Sequence, residues 1–304
     1  MGQASADQPP LTPLSVLLDV APGAEAPLPA ALAALYGRLA LPTDAGRAWV
    51  FSNFVASIDG VVAFNDPTPP GANEISASNP HDRAVMGLLR AMADAVIVGA
   101  GTLRSVPRHL WTAQYIYPPL TDAYAALRVA LGKPPTPLTV IVSGSGEVDS
   151  TLPVFQQRDG ATLLLTTSEG ATRLSGRAFG PRARLAIAPA RADGGLSARA
   201  VRGATLTTLA DERATDPDTR RPLILVEGGP RLLARFVDEG LLDEQFLTIA
   251  PQLVGRDDQF HRPGLIEGQR LAPDHPRWAR LMSARAAGSF LFLRYALTTQ
   301  SGAE

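Results

Sequence analysis

Apolar residues first gather into a strand-like run at Trp49-Val50-Phe51 and Phe54-Val55-Ala56, which stops at Ser57-Ile58-Asp59-Gly60. A long stretch rich in Pro, Gly, Asn and Ser follows from Asn65 to Asn79 and reads as a loop. The spacing of Val85, Met86, Leu88, Leu89 and Met92 then predicts a helix. Asn79 is placed to cap it, Pro80 suits its first position, and Asp82 falls in its positive first turn. Ala95-Val96-Ile97-Val98 is a short buried strand halted by Gly99-Ala100-Gly101-Thr102.

Further strands are predicted at Leu138–Val142, Thr162–Thr166, Leu185–Ala188 and Leu223–Val226. The last runs through Glu227-Gly228-Gly229-Pro230 into a helix carrying Leu232, Leu233, Phe236 and Val237, with Gly240 as its C-terminal stop. Gln245–Ile249 is another strand, and Trp278–Ala286 and Phe290–Leu297 flank Gly288-Ser289 as a hairpin. Residues 189–221 carry no clear pattern, and the polar run from Asp211 to Arg221 reads as a surface loop. Strands alternating with helices predict an α/β fold. It has a mostly parallel central sheet, helices on both faces and an antiparallel C-terminal hairpin. Residues 1–47 read as a peripheral extension, within which Leu32, Leu35 and Leu39 share one face of a short helix.

Composition narrows the function classes. The 304 residues are 45% hydrophobic and 19% charged with a formal net charge of −1, an ordinary globular balance without a global attraction for nucleic acid or anionic membranes. The absence of cysteine excludes disulfides, thiolate nucleophiles and cysteine-ligated zinc, and agrees with a cytoplasmic location. No apolar run approaches the ~20 residues that span a bilayer, and the polar start from Met1 to Pro13 is not a signal peptide. His81, His109, His261 and His275 lack zinc-site spacing, so no metal is expected.

Three short segments are candidates for chemistry. At Glu227-Gly228-Gly229-Pro230 a buried strand delivers two glycines to a helix N-terminus, where free N–H groups and the helix dipole favour phosphate; the alternative is a tight turn and nothing more. Gly99-Ala100-Gly101-Thr102 is a second strand-end glycine cluster, weak alone because Arg104 stands where a dinucleotide fingerprint wants a third glycine. Two such turns after parallel strands can meet at the carboxyl edge of the sheet, where open α/β folds bind ligands. Ser57-Ile58-Asp59-Gly60 offers Asp59 to orient or protonate a substrate and Ser57 to donate a hydrogen bond; the competing reading is an Asx-type turn with Gly60 at positive φ.

Four segments in fixed order carry a resemblance. They are Asn53-Phe-Val-Ala-Ser-Ile-Asp-Gly60, the stretch from Leu88 to Thr102, Leu225-Val-Glu-Gly-Gly-Pro230, and the stretch from Gly240 to Gly255. Together they resemble the reductase domain of the bifunctional riboflavin enzyme (the RibD type), over about residues 48–298, and the segment from Arg262 to Gly268 is similar to stand-alone members. The resemblance implies one domain of dihydrofolate-reductase fold over 48–298, followed by a tail at 299–304. It implies NADPH as hydride donor, a phosphorylated ribosylaminopyrimidine as small-molecule substrate, and a homodimer. By the same resemblance, Gly99, Gly101, Thr102, Gly228, Gly229 and Pro230 lie against the cofactor phosphates, with Ala56 and Ser143 alongside. Asn53, Ser57, Arg90 and Glu227 match substrate-side positions, Asp59 is the candidate catalytic residue, and the Gly228–Gly229 peptide is expected to be cis.

The departures bear on substrate rather than cofactor. Riboflavin-pathway members usually carry Lys where this chain has Asn53, a cation where it has Val61, and an acid near Val106. Three readings follow: a pyrimidine reductase of riboflavin type, a reductase of the same fold acting on a pterin or another substrate, and a non-catalytic NADPH-binding protein.

Overall fold

The computed structural model describes residues 11–42, 47–65, 75–212 and 221–298. Parts of the segments read from sequence therefore lie outside the described residues: the start of the extension, the middle of the loop after Asn65, most of the polar run after Asp211, and the tail.

Twelve strands occur among the described residues: β1 (Ser15–Asp19), β2 (Ala24–Glu25), β3 (Ala40–Leu41), β4 (Trp49–Ser57), β5 (Ala95–Gly99), β6 (Leu138–Ser143), β7 (Thr162–Thr166), β8 (Ala183–Ile187), β9 (Leu223–Val226), β10 (Glu244–Ala250), β11 (Ala279–Ala287) and β12 (Phe290–Leu297). The α-helices are α1 (Ala30–Tyr36), α2 (Pro80–Met92), α3 (Ala100–Ser105), α4 (Ala113–Ile116), α5 (Thr121–Ala130), α6 (Pro153–Gln156), α7 (Ser168–Arg173), α8 (Ala198–Glu212) and α9 (Pro230–Asp238).

Ten strands form one sheet in the order β1-β11-β12-β10-β4-β9-β5-β6-β7-β8. The seven strands from β10 to β8 are parallel, and β12, β11 and β1 complete an antiparallel flank. This is the predicted fold class. The chain runs outward from β5 through β6 and β7 to β8. It then returns to insert β9 between β4 and β5 and places β10 on the far side of β4. The reversal of direction at β4, β9 and β5 is the kind of switch point at which open α/β sheets form a crevice.

Strand alternation divides the core in two. Trp49, Phe51, Val96, Val98, Leu223 and Leu225 pack against α1, α2, α4 and α5 on one face. Val50, Ala95, Ile97, Val140, Ile224 and Val226 pack against α8 and α9 on the other. Helix α9 is anchored by Leu232, Leu233, Phe236 and Val237, all buried, each worth about 1.5–3 kcal/mol on burial. Helix α2 begins as predicted, with Asn79 accepting from the N–H groups of His81 and Asp82. A close approach requires Gly87 on this helix: a Cβ there would lie 2.4 Å from the hydroxyl of Tyr124 on α5.

Two expectations change. The segment read as a peripheral extension supplies edge strand β1, and Leu14, Leu32, Leu35, Tyr36 and Leu39 are buried in the α2-side core. Buried Arg285 of β11 holds it there, bonding Asp19 and the carbonyls of Tyr36 and Arg38. Residues 198–212 form helix α8 where no clear pattern was read. Its hydroxyls of Thr205 and Thr208 donate to carbonyls four residues back, so polar residues sit on the buried face and blur the periodicity.

Candidate active site

The residues singled out from sequence converge on one edge of the sheet. Ala56 and Ser57 end β4, Glu227 to Pro230 follow β9, Gly99 ends β5 with Ala100 to Thr102 after it, and Ser143 ends β6. These four strands are consecutive in the sheet and parallel, so all four exits lie side by side.

The two glycine turns are in direct contact. A Cβ on Gly228 would lie 2.3 Å from the backbone N of Gly99 and 2.6 Å from Cα of Val98, so only glycine fits there. The N–H of Gly229 donates to Oγ1 of Thr102 at 2.9 Å, and that of Glu227 to the carbonyl of Ile97 at 3.0 Å. Gly101 faces open space. The result is a backbone cradle at the N-terminal end of α9, whose first turn contains no acid. Such a cradle suits an anionic group.

The Gly228–Gly229 peptide is trans, which corrects the cis expectation; among the described residues the cis bond is Ala272–Pro273. Lacking side chains, the two glycines reach the close approach with trans geometry, Gly229 adopting φ 9° and ψ 152°.

At the exit of β4, the Ser57 hydroxyl donates to Asp59 at 2.6 Å and accepts from the N–H of Val61 at 2.9 Å. Asp59 also accepts from the N–H groups of Val254 (3.1 Å) and Gly255 (2.7 Å). The Ser57 hydroxyl bond, followed by these two N–H bonds, lowers its pKa to about 2. Gly60 takes φ +80°, as the turn reading requires. Asp59 is thus an ionised anchor between the β4 exit and the loop after β10. Its carboxylate is ionised near neutral pH.

On the α2 face, Arg90 and Glu227 form a buried ion pair. The guanidinium meets both carboxylate oxygens, at 2.8–3.2 Å, and its remaining N–H groups reach the carbonyls of Thr112 and Leu110. The side chains are only 2% and 6% exposed. The pair ties the β9 exit to α2. Asn53 is buried on β4, in register with Phe246 of β10.

The residue that sequence reasoning passed over is Asp82. Read there as a dipole partner, it is buried among polar side chains: the hydroxyls of Thr248 on β10 and Ser76 donate to it, and Glu227 stands near. Desolvation raises its pKa to about 6; the two hydroxyls pull it down, Glu227 pushes it up and Arg83 pulls it down. The only signal in the sequence was an acid on a helix whose opposite neighbours were apolar. Nearby, burial lowers the pKa of His109 to about 2, aided by the charges of Arg90 and Arg83, so its ring is neutral. That ring lies against Trp111 and Tyr115.

The loop after β10 closes the other side of the crevice. Pro263 accepts from the N–H of Val62 at 3.0 Å, and Leu265 and Ile266 pack with Phe54 on the α9 face. Further along the edge, Ser143 is buried, its carbonyl accepting from Thr166 at 2.6 Å.

Residues 48–278 match the family model of the RibD C-terminal domain. No curated protein matches the chain. Among solved structures, a pyrimidine reductase-like protein from Corynebacterium diphtheriae is 20% identical, with a TM-score of 0.60 over 83% of this chain and 93% of that one. A diaminohydroxyphosphoribosylaminopyrimidine deaminase/5-amino-6-(5-phosphoribosylamino)uracil reductase from Thermotoga maritima is 16% identical, with a TM-score of 0.57 over 83% of this chain and 57% of that one. A riboflavin biosynthesis reductase from Saccharomyces cerevisiae is 15% identical, with a TM-score of 0.52 over 85% and 93%.

Proposed function

Because the chain belongs to the RibD C-terminal domain family, we propose that it is an NADPH-dependent reductase. Its reaction is of the riboflavin-pathway type, in which the ribosylamino carbon of a phosphorylated pyrimidine is reduced to a ribitylamino group. The observation that carries this reading is the contact between the two glycine turns. Gly228 lies against Gly99, and Thr102 receives the N–H of Gly229 at 2.9 Å, leaving a side-chain-free cradle at the start of α9.

The residues fit a nicotinamide dinucleotide. Gly99, Gly101, Thr102, Gly228, Gly229 and Pro230 would hold its phosphates, with Ala56 and Ser143 on either side along the strand exits. When bound, the reduced nicotinamide supplies the hydride. The protein's part is alignment and exclusion of water. The Arg90–Glu227 pair fixes the β9 exit, and Asp59 fixes the loop that carries Val254 and Gly255 over the β4 exit. Asn53, Ser57, Arg90 and Glu227 lie on the acceptor side in this reading, with Asp59 placed to orient the substrate. The reductase domain extends over 48–298, and the working form is a cytoplasmic homodimer.

Asn53, Val61 and Val106 favour a second reading, reduction of a different acceptor such as a pterin. Val61 is fully buried in an apolar cluster, so no cation stands at that position. The test measures NADPH binding by fluorescence. It then follows cofactor oxidation with the ribosylaminopyrimidine phosphate and with dihydrofolate in parallel. Turnover of the pyrimidine is the expected result. Binding with turnover of dihydrofolate alone would shift the assignment to the second reading, and failure to bind NADPH would overturn both.

A further inference from the structure

Helices cover both faces of the parallel strands, whereas the antiparallel flank is covered on one face only. On the α9 side, the apolar cluster of α8 and α9 takes in Val50, Ile97, Val140, Leu163 and Ile224, and no described residue of β10, β11 or β1. The opposite face of the flank is closed by the α1 and α2 cluster, which holds Phe246 and Phe292.

Alternation along the flank is inverted relative to this cover. Register places the pairs Arg285–Asp19 and Arg294–Glu244 on the closed face. The uncovered face carries Leu18 of β1, Leu247 and Ile249 of β10, and Leu291, Leu293 and Tyr295 of β12. None of the six is fully buried, and Leu18 and Leu291 are each 37% exposed. Among these described strands no charged side chain points that way. A sheet with one solvated face ordinarily turns its polar set outward and its apolar set inward. A face with its charges inside and its leucines outside marks a surface that another protein covers.

We infer that this face joins two copies of the chain, packed sheet against sheet about a two-fold axis. The inference deepens the homodimer of the reductase reading by naming its interface. A charge-free face suits an equally charge-free one, because a charged partner would lose its hydration with nothing to pair. The chain's own copy offers that face, and a two-fold presents it to itself. A peptide strand added at the edge of β1 is disfavoured by the register shift between Val16 and Leu18, which bends that edge. An anionic lipid surface is disfavoured because the patch has no basic residue to meet it. Facing sheets pack about 10 Å apart, so leucine-sized side chains from two copies fill the gap. Leu18 lies outside the residues 48–278 that match the family, so part of this interface is the chain's own.

The experiment measures the mass of the full chain by sedimentation, beside Leu291→Arg and the control Leu185→Arg. Leu185 is 46% exposed on β8, at the opposite edge of the sheet. The expected result is a dimer for the wild type and for Leu185→Arg. Leu291→Arg sets two like charges into the interface and raises the dissociation constant by about 10²-fold or more. It should therefore sediment as a monomer where the wild type is dimeric. Because the chain has no cysteine, Leu291→Cys and Leu185→Cys each introduce a single thiol and serve if Leu291→Arg does not fold. The thiol at position 291 should react with a maleimide more slowly than that at 185, and the difference should vanish on dilution to monomer. A monomeric wild type overturns the inference and the homodimer together. Dimeric Leu291→Arg, or equal labelling rates at the two positions, overturns the interface alone. NADPH binding, measured by fluorescence on the same samples, keeps these failures apart from the reductase reading. A dimer that parts at Leu291→Arg but binds no NADPH supports the inference and overturns that reading.

Discussion

Two aspartates, one in the turn after β4 and one against β10 and the β9 exit, live in opposite states. Asp59 sits in the turn leaving β4, surrounded by donors, and its pKa falls to about 2. Asp82 sits in the first turn of α2, buried, and its pKa rises to about 6. Each accepts from serine or threonine hydroxyls. The difference lies in the backbone and in water: Asp59 has two N–H donors and solvent, whereas Asp82 has a neighbouring carboxylate and little solvent. The acid in the motif that stands out in sequence is therefore held ionised, and the inconspicuous acid is the one able to hold a proton.

The largest effect should come from breaking the ion pair that shields Asp82 from its carboxylate neighbour. Arg90→Ala leaves Glu227 buried and unpaired, and removing one partner of a buried pair costs about 3–5 kcal/mol. Chemical denaturation should show a loss of that order. In whatever fraction folds, the unneutralised charge of Glu227 raises the Asp82 pKa further. A loss below about 1 kcal/mol would mean that water reaches the pair and that the region is not as dry as its 2% and 6% exposures indicate.

Asp82 itself should make stability fall with rising pH. Its folded pKa is raised from 3.8 to about 6. Its contribution is therefore complete below about pH 4 and is lost as pH rises through about 6, by on the order of 3 kcal/mol. Asp82→Asn should lack this decline, so the two unfolding curves converge toward acid and separate toward neutral pH. Parallel curves across that range would show that Asp82 ionises normally.

Much of this was legible in the chain, and the parts that were not have a common cause. The β4, β5 and β9 runs and the α2 cap were readable because their signals are local: apolar continuity, or a capping residue within three positions. The meeting of Gly228 with Gly99 was anticipated only as a possibility of parallel strands, because their adjacency is set by the late return of β9. Asp82 was missed because its environment is assembled from Thr248, Ser76 and Glu227, residues far apart in sequence. Edge strand β1 was missed because its exposed Val16, Leu17 and Leu18 show no inside–outside alternation to distinguish it from an extension.

A smaller effect is expected at Thr248. Thr248→Val keeps the shape and removes one hydroxyl donor, costing about 1 kcal/mol. It should extend the Asp82-dependent decline in stability to higher pH, because the lost hydrogen bond favoured the carboxylate. Denaturation of this variant across the same pH steps checks the direction. A shift toward lower pH would show that the hydroxyl stabilises the protonated form instead.

The mildest prediction concerns Asp59, and its sign is opposite. Its folded pKa is depressed from 3.8 to about 2, so its contribution is present above about pH 4 and is lost as pH falls through about 2. The group is accessible to solvent, so the effect on global unfolding is small and is best read locally. Asp59→Asn keeps one acceptor oxygen but removes the charge that gathers the N–H groups of Val254 and Gly255. Amide exchange at those two positions should quicken near neutral pH, while exchange in α2 and the melting temperature stay close to wild type. Wild-type exchange at Val254 and Gly255 should approach that of the variant as pH is lowered toward about 2, once intrinsic rates are allowed for. If Asp59→Asn instead abolishes the pH dependence assigned to Asp82, the two carboxyls are coupled and the contrast between them fails. Their separate bonding partners, Val254 and Gly255 for one and Thr248 and Ser76 for the other, argue that they titrate independently.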